Sequence, residues 1–304
     1  MNKKTIFQFV AMMIFALNIS CSDSLKTGWE YQVDNPLNTD ITFKVDNDEY
    51  TIPAKSMQTI KISQGKHTLT YNGSSVNFVT KVNSNKYVTI LNPTLSNYML
   101  HAIFYVRKDA SNQNMDDLYD KYSHEYQSGD VVVKLPVKVI NSLIIEKQHH
   151  EWAYGLDEEV KEEIGARQGT QKVYTKLYRE QDYIHEFAKE WPAGWIKFPV
   201  NSKALNEQAP YVFPTASLMC ECDVYNNKVK EYEGKWNKMI ADPSNIFQDV
   251  AQLSHDASTN VIAEYSEIYR KCIGEQNSAA FEEAKNRLSK EMNYLTDAST
   301  FIVK

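Results

Sequence analysis

Apolar residues follow two different spacings along the chain, and the first predicts β-structure. From Glu30 to Leu91, short runs alternate between apolar and polar residues, and turn residues such as Asn72-Gly73 separate them. Alternation places every second side chain on one face of a strand, and Asn-Gly between two such runs is typical of a tight hairpin. Runs that recur about every 8–12 residues indicate a small sandwich or barrel. We therefore expect an antiparallel β domain over residues 29–106.

The second spacing predicts helices in the C-terminal part of the chain. Apolar positions recur every three or four residues from Tyr225 to Ile240, from Ile246 to Cys272 and from Phe281 to Leu295. This spacing places them on one face of a helix. Asp242-Pro243-Ser244 would end the first helix and cap the second, because proline cannot continue a helix and aspartate caps the next one. The pattern predicts three antiparallel helices in a small bundle.

The region between these two patterns sets the expected domain boundary. Residues 107–128 are polar and predict a linker. The following residues, 129–304, begin with a β-branched run and then carry apolar positions from Gln171 to Trp191 that fit another helix face. The predicted fold class is α+β, with a small N-terminal antiparallel β domain, sandwich-like or barrel-like. A mixed, mainly α-helical domain over residues 129–304 follows it.

The first residues have the build of a secretory signal peptide. Lys3 and Lys4 precede an apolar run from Ile6 to Leu17, and Ser20-Cys21 follows shortly after it. The run is shorter than the roughly 20 apolar residues that a membrane-spanning helix needs. A small residue followed by cysteine after such a run resembles the lipobox of bacterial lipoproteins, although Asn18 stands where that family prefers leucine.

The lipobox resemblance implies how the chain is processed and where in the cell it is located. It implies that residues 1–20 are removed, that Cys21 is lipidated, and that residues 21–28 form a tether. Two or three acyl chains would anchor the protein stably without a membrane-spanning helix. In enteric lipoproteins an aspartate after the cysteine retains the protein in the inner membrane, so Ser22 implies the outer membrane of the bacterial cell envelope. The alternative is an ordinary secretory signal that ends near a cysteine.

A stretch within the predicted β domain resembles the PEGA-type β module of bacterial envelope proteins. Residues 45–71 share with it Val45-Asp46, Pro53-Ala54, an alternating strand, and Gly65-Lys66-His67 at the start of the next strand. The resemblance implies a non-catalytic β spacer or adhesion module. His67 would then be a strand residue and not a metal ligand.

Charge and motifs exclude several classes of function. The formal net charge is −6, and it becomes −8 when residues 1–20, with Lys3 and Lys4 as their only charges, are removed. That balance argues against nucleic acid as a partner, because phosphates require basic surface. The chain has no G-x-S-x-G motif, P-loop or Rossmann glycine pattern, so no cofactor and no catalytic residue is predicted. Membrane attachment is left to the lipid on Cys21.

One polar stretch attracts a catalytic interpretation. His149, His150 and Glu151 could bind a metal, with Asp157 or Glu158 as a nearby base. Their spacing argues against it, because a zinc-binding helix places histidines four residues apart on one face, whereas adjacent side chains point apart. We expect a polar corner in which Asp157 caps a following helix. An envelope hydrolase acting on glycan or peptide is the competing hypothesis.

Three cysteines remain after Cys21, and one pair of them raises a geometric question. Counted from Asp242, Cys222 lies roughly 30 Å along one straight helix and Cys272 roughly 45 Å along the next. A disulfide between them therefore requires a break near Ser258-Thr259-Asn260, three poor helix formers. Without that break, Cys220, Cys222 and Cys272 would be buried thiols acting as small apolar side chains.

The aromatic residues allow a binding role. Trp191 and Trp195 flank a turn with proline and glycine, and they could form a platform for a sugar or a protein partner or pack beneath a loop. The favoured hypothesis is a lipid-anchored, non-catalytic binding or assembly module for another envelope protein. The alternatives are the hydrolase and a glycan-binding lipoprotein that uses Trp191 and Trp195.

Overall fold

The computed structural model shows an α+β fold, as expected from the sequence. It describes residues 28–82, 88–106, 115–163, 171–187, 189, 191–192, 194–200, 204–264, 266–273 and 278–304. The strands are β1 (Gly28–Asn35), β2 (Ile41–Val45), β3 (Asp48–Ile52), β4 (Ser56–Ser63), β5 (Gly65–Tyr71), β6 (Ser74–Thr80), β7 (Thr89–Leu91), β8 (Tyr98–Val106), β9 (His124–Ser128), β10 (Val131–Leu135), β11 (Val137–Ile140), β12 (Ile144–Glu146), β13 (Gln171–Arg179) and β14 (Thr300–Val303). The α-helices are α1 (Met115–Tyr122), α2 (Lys147–His150), α3 (Glu180–Phe187), α4 (Thr215–Leu218), α5 (Asp223–Ala241), α6 (Ile246–Ala257), α7 (Glu267–Ile273) and α8 (Ser278–Asp297).

Two sheets share the first core. One has the strand order β12-β7-β1-β4 and the other β14-β6-β5-β2-β3. Alternate residues of both sheets, among them Tyr31 on β1 and Phe43 on β2, belong to one buried cluster. Asn72-Gly73 joins β5 to β6, and both residues have positive φ, as a tight hairpin turn requires. The alternating pattern thus has its physical basis in two sheets with facing apolar surfaces.

A third sheet crosses the boundary expected at residues 107–128. Its order is β11-β8-β13, so β8 from the predicted β domain pairs along nine residues with β13 from the predicted helical one. Strand β7 contributes Ile90 to the core shared with this sheet and Leu91 to the first core. The described part of the expected linker contains α1 and β9. The polar composition there reflects exposed secondary structure, since α1 buries no residue.

The helix expected from Gln171 is partly wrong. Residues 171–179 are strand β13, and only Glu180–Phe187 form a helix. Val173 and Leu177 are four residues apart and fit both periods, but pairing with β8 satisfies the backbone of this segment as a strand. Residues 151–163 contain no helix either, so Asp157 is not an N-cap.

The helices α5, α6 and α8 pack on the outer face of the five-stranded sheet. Val79 of β6 and Phe301 of β14 belong to the same cluster as Trp236 and Leu288 from these helices. Strand β14 was not expected from the sequence, and it pairs antiparallel with β6. Among the described helices, none is long and apolar enough to cross a membrane.

Candidate functional site

Cys21, the residue expected to carry lipid, lies outside the described residues. The remaining candidates fall in four places: the corner at residues 146–151, the tryptophan loop, the 151–163 segment and the helical bundle. A side chain that is already bonded to other parts of the fold is less available to bind a ligand or to react.

The two histidines at the polar corner are held by structural contacts. His149 Nδ1 lies 2.8 Å from Oε2 of the buried Glu146, and its ring stacks on Tyr294 with centroids 4.6 Å apart. His150 Nδ1 lies 2.9 Å from the backbone oxygen of Glu146, and burial lowers the pKa of its imidazole. Glu151 is exposed, with φ at +53°. The described residues contain no group of three or more His, Cys, Asp or Glu side chains that could hold a metal ion.

Glu146 is the centre of a buried polar network. Its Oε1 accepts hydrogen bonds from the Ser299 backbone N–H, at 2.7 Å, and from the Ser299 hydroxyl. In a catalytic triad the serine bonds to the imidazole and the carboxylate bonds to the other ring nitrogen. Here both Ser299 and His149 bond to the carboxylate, and Ser299 is fully buried. The arrangement joins the corner to the strand β14 and does not activate a nucleophile.

A buried lysine fixes the end of α8 against the sheet. Lys81 Nζ donates to the backbone oxygens of Leu295, at 2.8 Å, and Thr296. These carbonyls belong to the last turn of α8, where a cation also meets the negative end of the helix dipole. Burial lowers the pKa of the Lys81 ammonium to about 8.

The two tryptophans lie together on an exposed loop. The Trp191 and Trp195 rings meet edge to face, with centroids 5.3 Å apart, and the Trp195 side chain is 42% exposed. The loop is attached to the β9–β10 ribbon, because the Lys197 backbone N–H donates to the Gln127 oxygen at 3.0 Å. The structure therefore brings both candidate platform residues together and leaves one ring open to solvent.

Asp157 takes part in an ion cluster that sequence reasoning missed. Arg179, at the end of β13, bonds Asp157 at 2.9 Å and Asp182 at 3.3 Å, and it bonds the fully buried Asp34 of β1 at 2.6 Å. The Tyr98 hydroxyl donates to the same buried carboxylate. No local pattern could reveal this cluster, because Asp34 and Arg179 are 145 residues apart.

The helical bundle contains both the disulfide and the break that its geometry requires. Cys222, just before α5, is joined to Cys272 in α7. Between α6 and α7 the chain forms a π-helical turn, Ser258–Ile262, at the predicted position of the break. The turn lets α7 fold back onto α5 instead of continuing α6.

A groove opens on the surface beside this disulfide. It lies between α5, the π-helical turn and α7, and its volume is about 460 Å³. Polar side chains form most of its lining. A second groove, of about 260 Å³, lies near Leu95 and Glu180. Comparisons of the chain with protein-family models, with the curated proteins and with the solved structures found no match.

Proposed function

We propose that this chain is a lipid-anchored protein of the bacterial cell envelope that acts as a non-catalytic binding or assembly module for another envelope protein. Cys21 carries the anchor. The β-rich part lies next to the membrane, and the helical part is offered to the partner.

The observation that carries the proposal is the Cys222–Cys272 disulfide. Structural disulfides persist in oxidising compartments and are rare in the reducing cytosol. An exported chain with a signal peptide would meet such a compartment. The disulfide therefore supports the same cellular location as the lipobox. It does so independently, because Cys222 lies about 200 residues after Cys21.

The short tether supports a body held close to the membrane. Seven residue steps separate Cys21 from Gly28, where β1 begins, so the chain between them spans at most about 25 Å when fully extended. A partner would then have to reach the protein near the membrane surface. Ser22, directly after Cys21, supports placement in the outer membrane.

The state of the candidate catalytic residues supports a non-catalytic role. Glu146, His149 and His150 are engaged in contacts that hold the corner together, and Asp157 is paired with Arg179. A hydrolase would need a carboxylate or imidazole free to meet substrate in a cleft. These side chains instead stabilise the junctions between elements.

The proposal is tested by crosslinking intact cells and purifying the full-length protein beside a Cys21→Ser variant. With the wild type, we expect to recover one dominant crosslinked envelope protein in a near-constant ratio to this chain. With Cys21→Ser, we expect that protein to be lost. A Cys220→Ser variant is the matched control, because it removes a cysteine outside both the anchor and the disulfide, and it should retain the partner. Recovery of the wild type alone would contradict the assembly role, and equal membrane attachment of Cys21→Ser would contradict the anchor.

A further inference from the structure

We infer that the groove between α5, the π-helical turn and α7 is a binding site for a neutral oligosaccharide. The inference goes beyond the proposed function, since it depends neither on the lipid anchor nor on a protein partner. The groove volume of about 460 Å³ lies within the range of about 300–1,000 Å³ that is typical of small-molecule sites.

The walls of the groove are fixed in place by covalent and helical structure. Val224, Asn227, Lys228 and Glu231 are spaced by three, one and three residues, so they form one stripe along α5. The Cys222–Cys272 disulfide ties the start of α5 to the last turn of α7. A pre-formed site binds with less loss of conformational entropy than a site that must be ordered by its ligand.

The charges that line the groove cancel within each wall. Lys228 pairs with Glu231 at 2.6 Å on α5, and Lys271 pairs with Glu267 at 2.6 Å on α7. A charged ligand would have to displace one partner from its ion pair. A neutral ligand can accept hydrogen bonds from the ammonium groups and donate to the carboxylates without separating the pairs.

Uncommitted amide and hydroxyl groups complete the lining. Among the described residues, the side chains of Asn227, Thr259 and Asn260 have no hydrogen-bond partner. Each amide offers two donors and an acceptor oxygen, and the hydroxyl offers both roles. Sugar hydroxyls are also donors and acceptors at once. The side chain of Val224, which is 40% exposed, adds apolar surface for the C–H face of a sugar ring.

The same lining disfavours a peptide. Strand addition needs an open sheet edge, a bound helix needs an apolar groove, and a polyproline segment needs aromatic walls. The groove walls are helical, its described apolar lining consists of Val224 and Ile268, and no aromatic side chain belongs to that lining. Of the neutral ligands with many hydrogen-bonding groups, an oligosaccharide fits these walls best.

The test is a binding series with the full-length mature protein in detergent. An array of cellobiose, maltose, mannobiose and chitobiose selects the neutral disaccharide to be used, and titration calorimetry then compares variants. We expect Asn227→Ala and Asn260→Ala each to weaken binding roughly tenfold, the equivalent of one lost hydrogen bond to a buried ligand group. Asn237→Ala, an exposed asparagine on α5 outside the groove, is the matched control and should bind as the wild type does.

Three results would overturn the inference. The first is that none of the four disaccharides binds at millimolar concentration. The second is that Asn227→Ala and Asn260→Ala bind as tightly as Asn237→Ala. The third is that the wild type binds an anionic sugar or a peptide more tightly than the neutral disaccharides, and that Asn227→Ala and Asn260→Ala lose this binding. Thermal unfolding checks that every variant is folded. We expect that all of them are, because the three asparagines lie on exposed helical surface.

Discussion

The guanidinium of Arg179 holds the fully buried carboxylate of Asp34, with Nη2 2.6 Å from Oδ1. Nε of the same arginine lies 2.9 Å from both carboxylate oxygens. Asp34 belongs to β1 and Arg179 ends β13, so this ion pair joins the first sheet to the third. A charge-assisted pair with several hydrogen bonds is the kind that is costly to break in a protein interior.

Arg179→Leu should destabilise the protein strongly. It leaves the Asp34 carboxylate buried without its cation, and we expect the free energy of unfolding to fall by about 3–5 kcal/mol in urea denaturation. The matched control is Lys61→Leu, since Lys61 pairs with Glu30 at 3.1 Å on the exposed surface. That pair should contribute about 1 kcal/mol or less. Equal losses in the two variants would show that the buried pair does not fasten the sheets.

His101 should make stability fall under mild acid. It is packed against Phe187, with centroids 4.4 Å apart, and burial lowers the pKa of its imidazole to about 4 from the usual 6.5. Between these pH values the unfolded state binds the proton and the folded state does not, so the free energy of unfolding decreases as pH falls. The decrease from this group amounts to at most about 3 kcal/mol.

The His101 effect is isolated by comparing denaturation curves at pH 7 and pH 4.5. His101→Phe keeps an aromatic ring among Tyr178, Tyr183 and Phe187 and should lose less stability on acidification than the wild type. His185→Phe, at an exposed position of α3, should behave as the wild type does. Identical acid dependence in all three proteins would refute the prediction.

Lys81 should give a pH dependence of the same sign, but at alkaline pH. Its pKa is lowered to about 8 in the folded protein and is near 10.5 when the chain is unfolded. Between pH 8 and pH 10.5 the unfolded state binds more protons, so this group makes the free energy of unfolding rise with pH, by at most about 3 kcal/mol. Lys81→Met should remove that rise, whereas Lys290→Met at an exposed site should not. A rise of the same size in both variants would be evidence against a buried ammonium at the end of α8.

Removal of the disulfide should weaken the helical bundle. The bridge closes a segment of 50 residues, which in the chain-entropy treatment corresponds to about 4 kcal/mol. We expect the Cys222→Ser, Cys272→Ser double variant to lose about that much stability in urea, and dithiothreitol to have the same effect on the wild type. Cys220→Ser should keep its sensitivity to the reductant. A non-reduced peptide map without a Cys222–Cys272 peptide would contradict this account.

The bundle helices were predictable because their signal is local. The apolar positions of α5 and α8 recur at helical spacing over about four turns each, and tertiary contacts reinforce that pattern instead of competing with it. Chain length along two helices was also enough to link the Cys222–Cys272 bridge to a break near Ser258. Both inferences use rise per residue and periodicity, which a single sequence contains.

Other features depend on partners distant in the sequence. The spacing of Val173 and Leu177 fits a helix and a strand equally, and this segment forms a strand because it pairs with β8. Strand β14 has only four residues and gains its place from β6. The Asp34–Arg179 pair and the α5–α7 groove arise where separate segments meet, so no local spacing predicts them.

The anchor at Cys21 is tested most directly by intact-mass spectrometry of the mature protein purified from the membrane of its host cell. The account predicts an N-terminus at Cys21, loss of residues 1–20, and a mass increase that corresponds to two or three acyl chains. The Cys21→Ser variant, expressed in parallel, should lack the added mass and leave the membrane fraction. A wild-type protein that retains Met1, or that begins elsewhere and carries no lipid on Cys21, would contradict the claim that this is a lipid-anchored envelope protein.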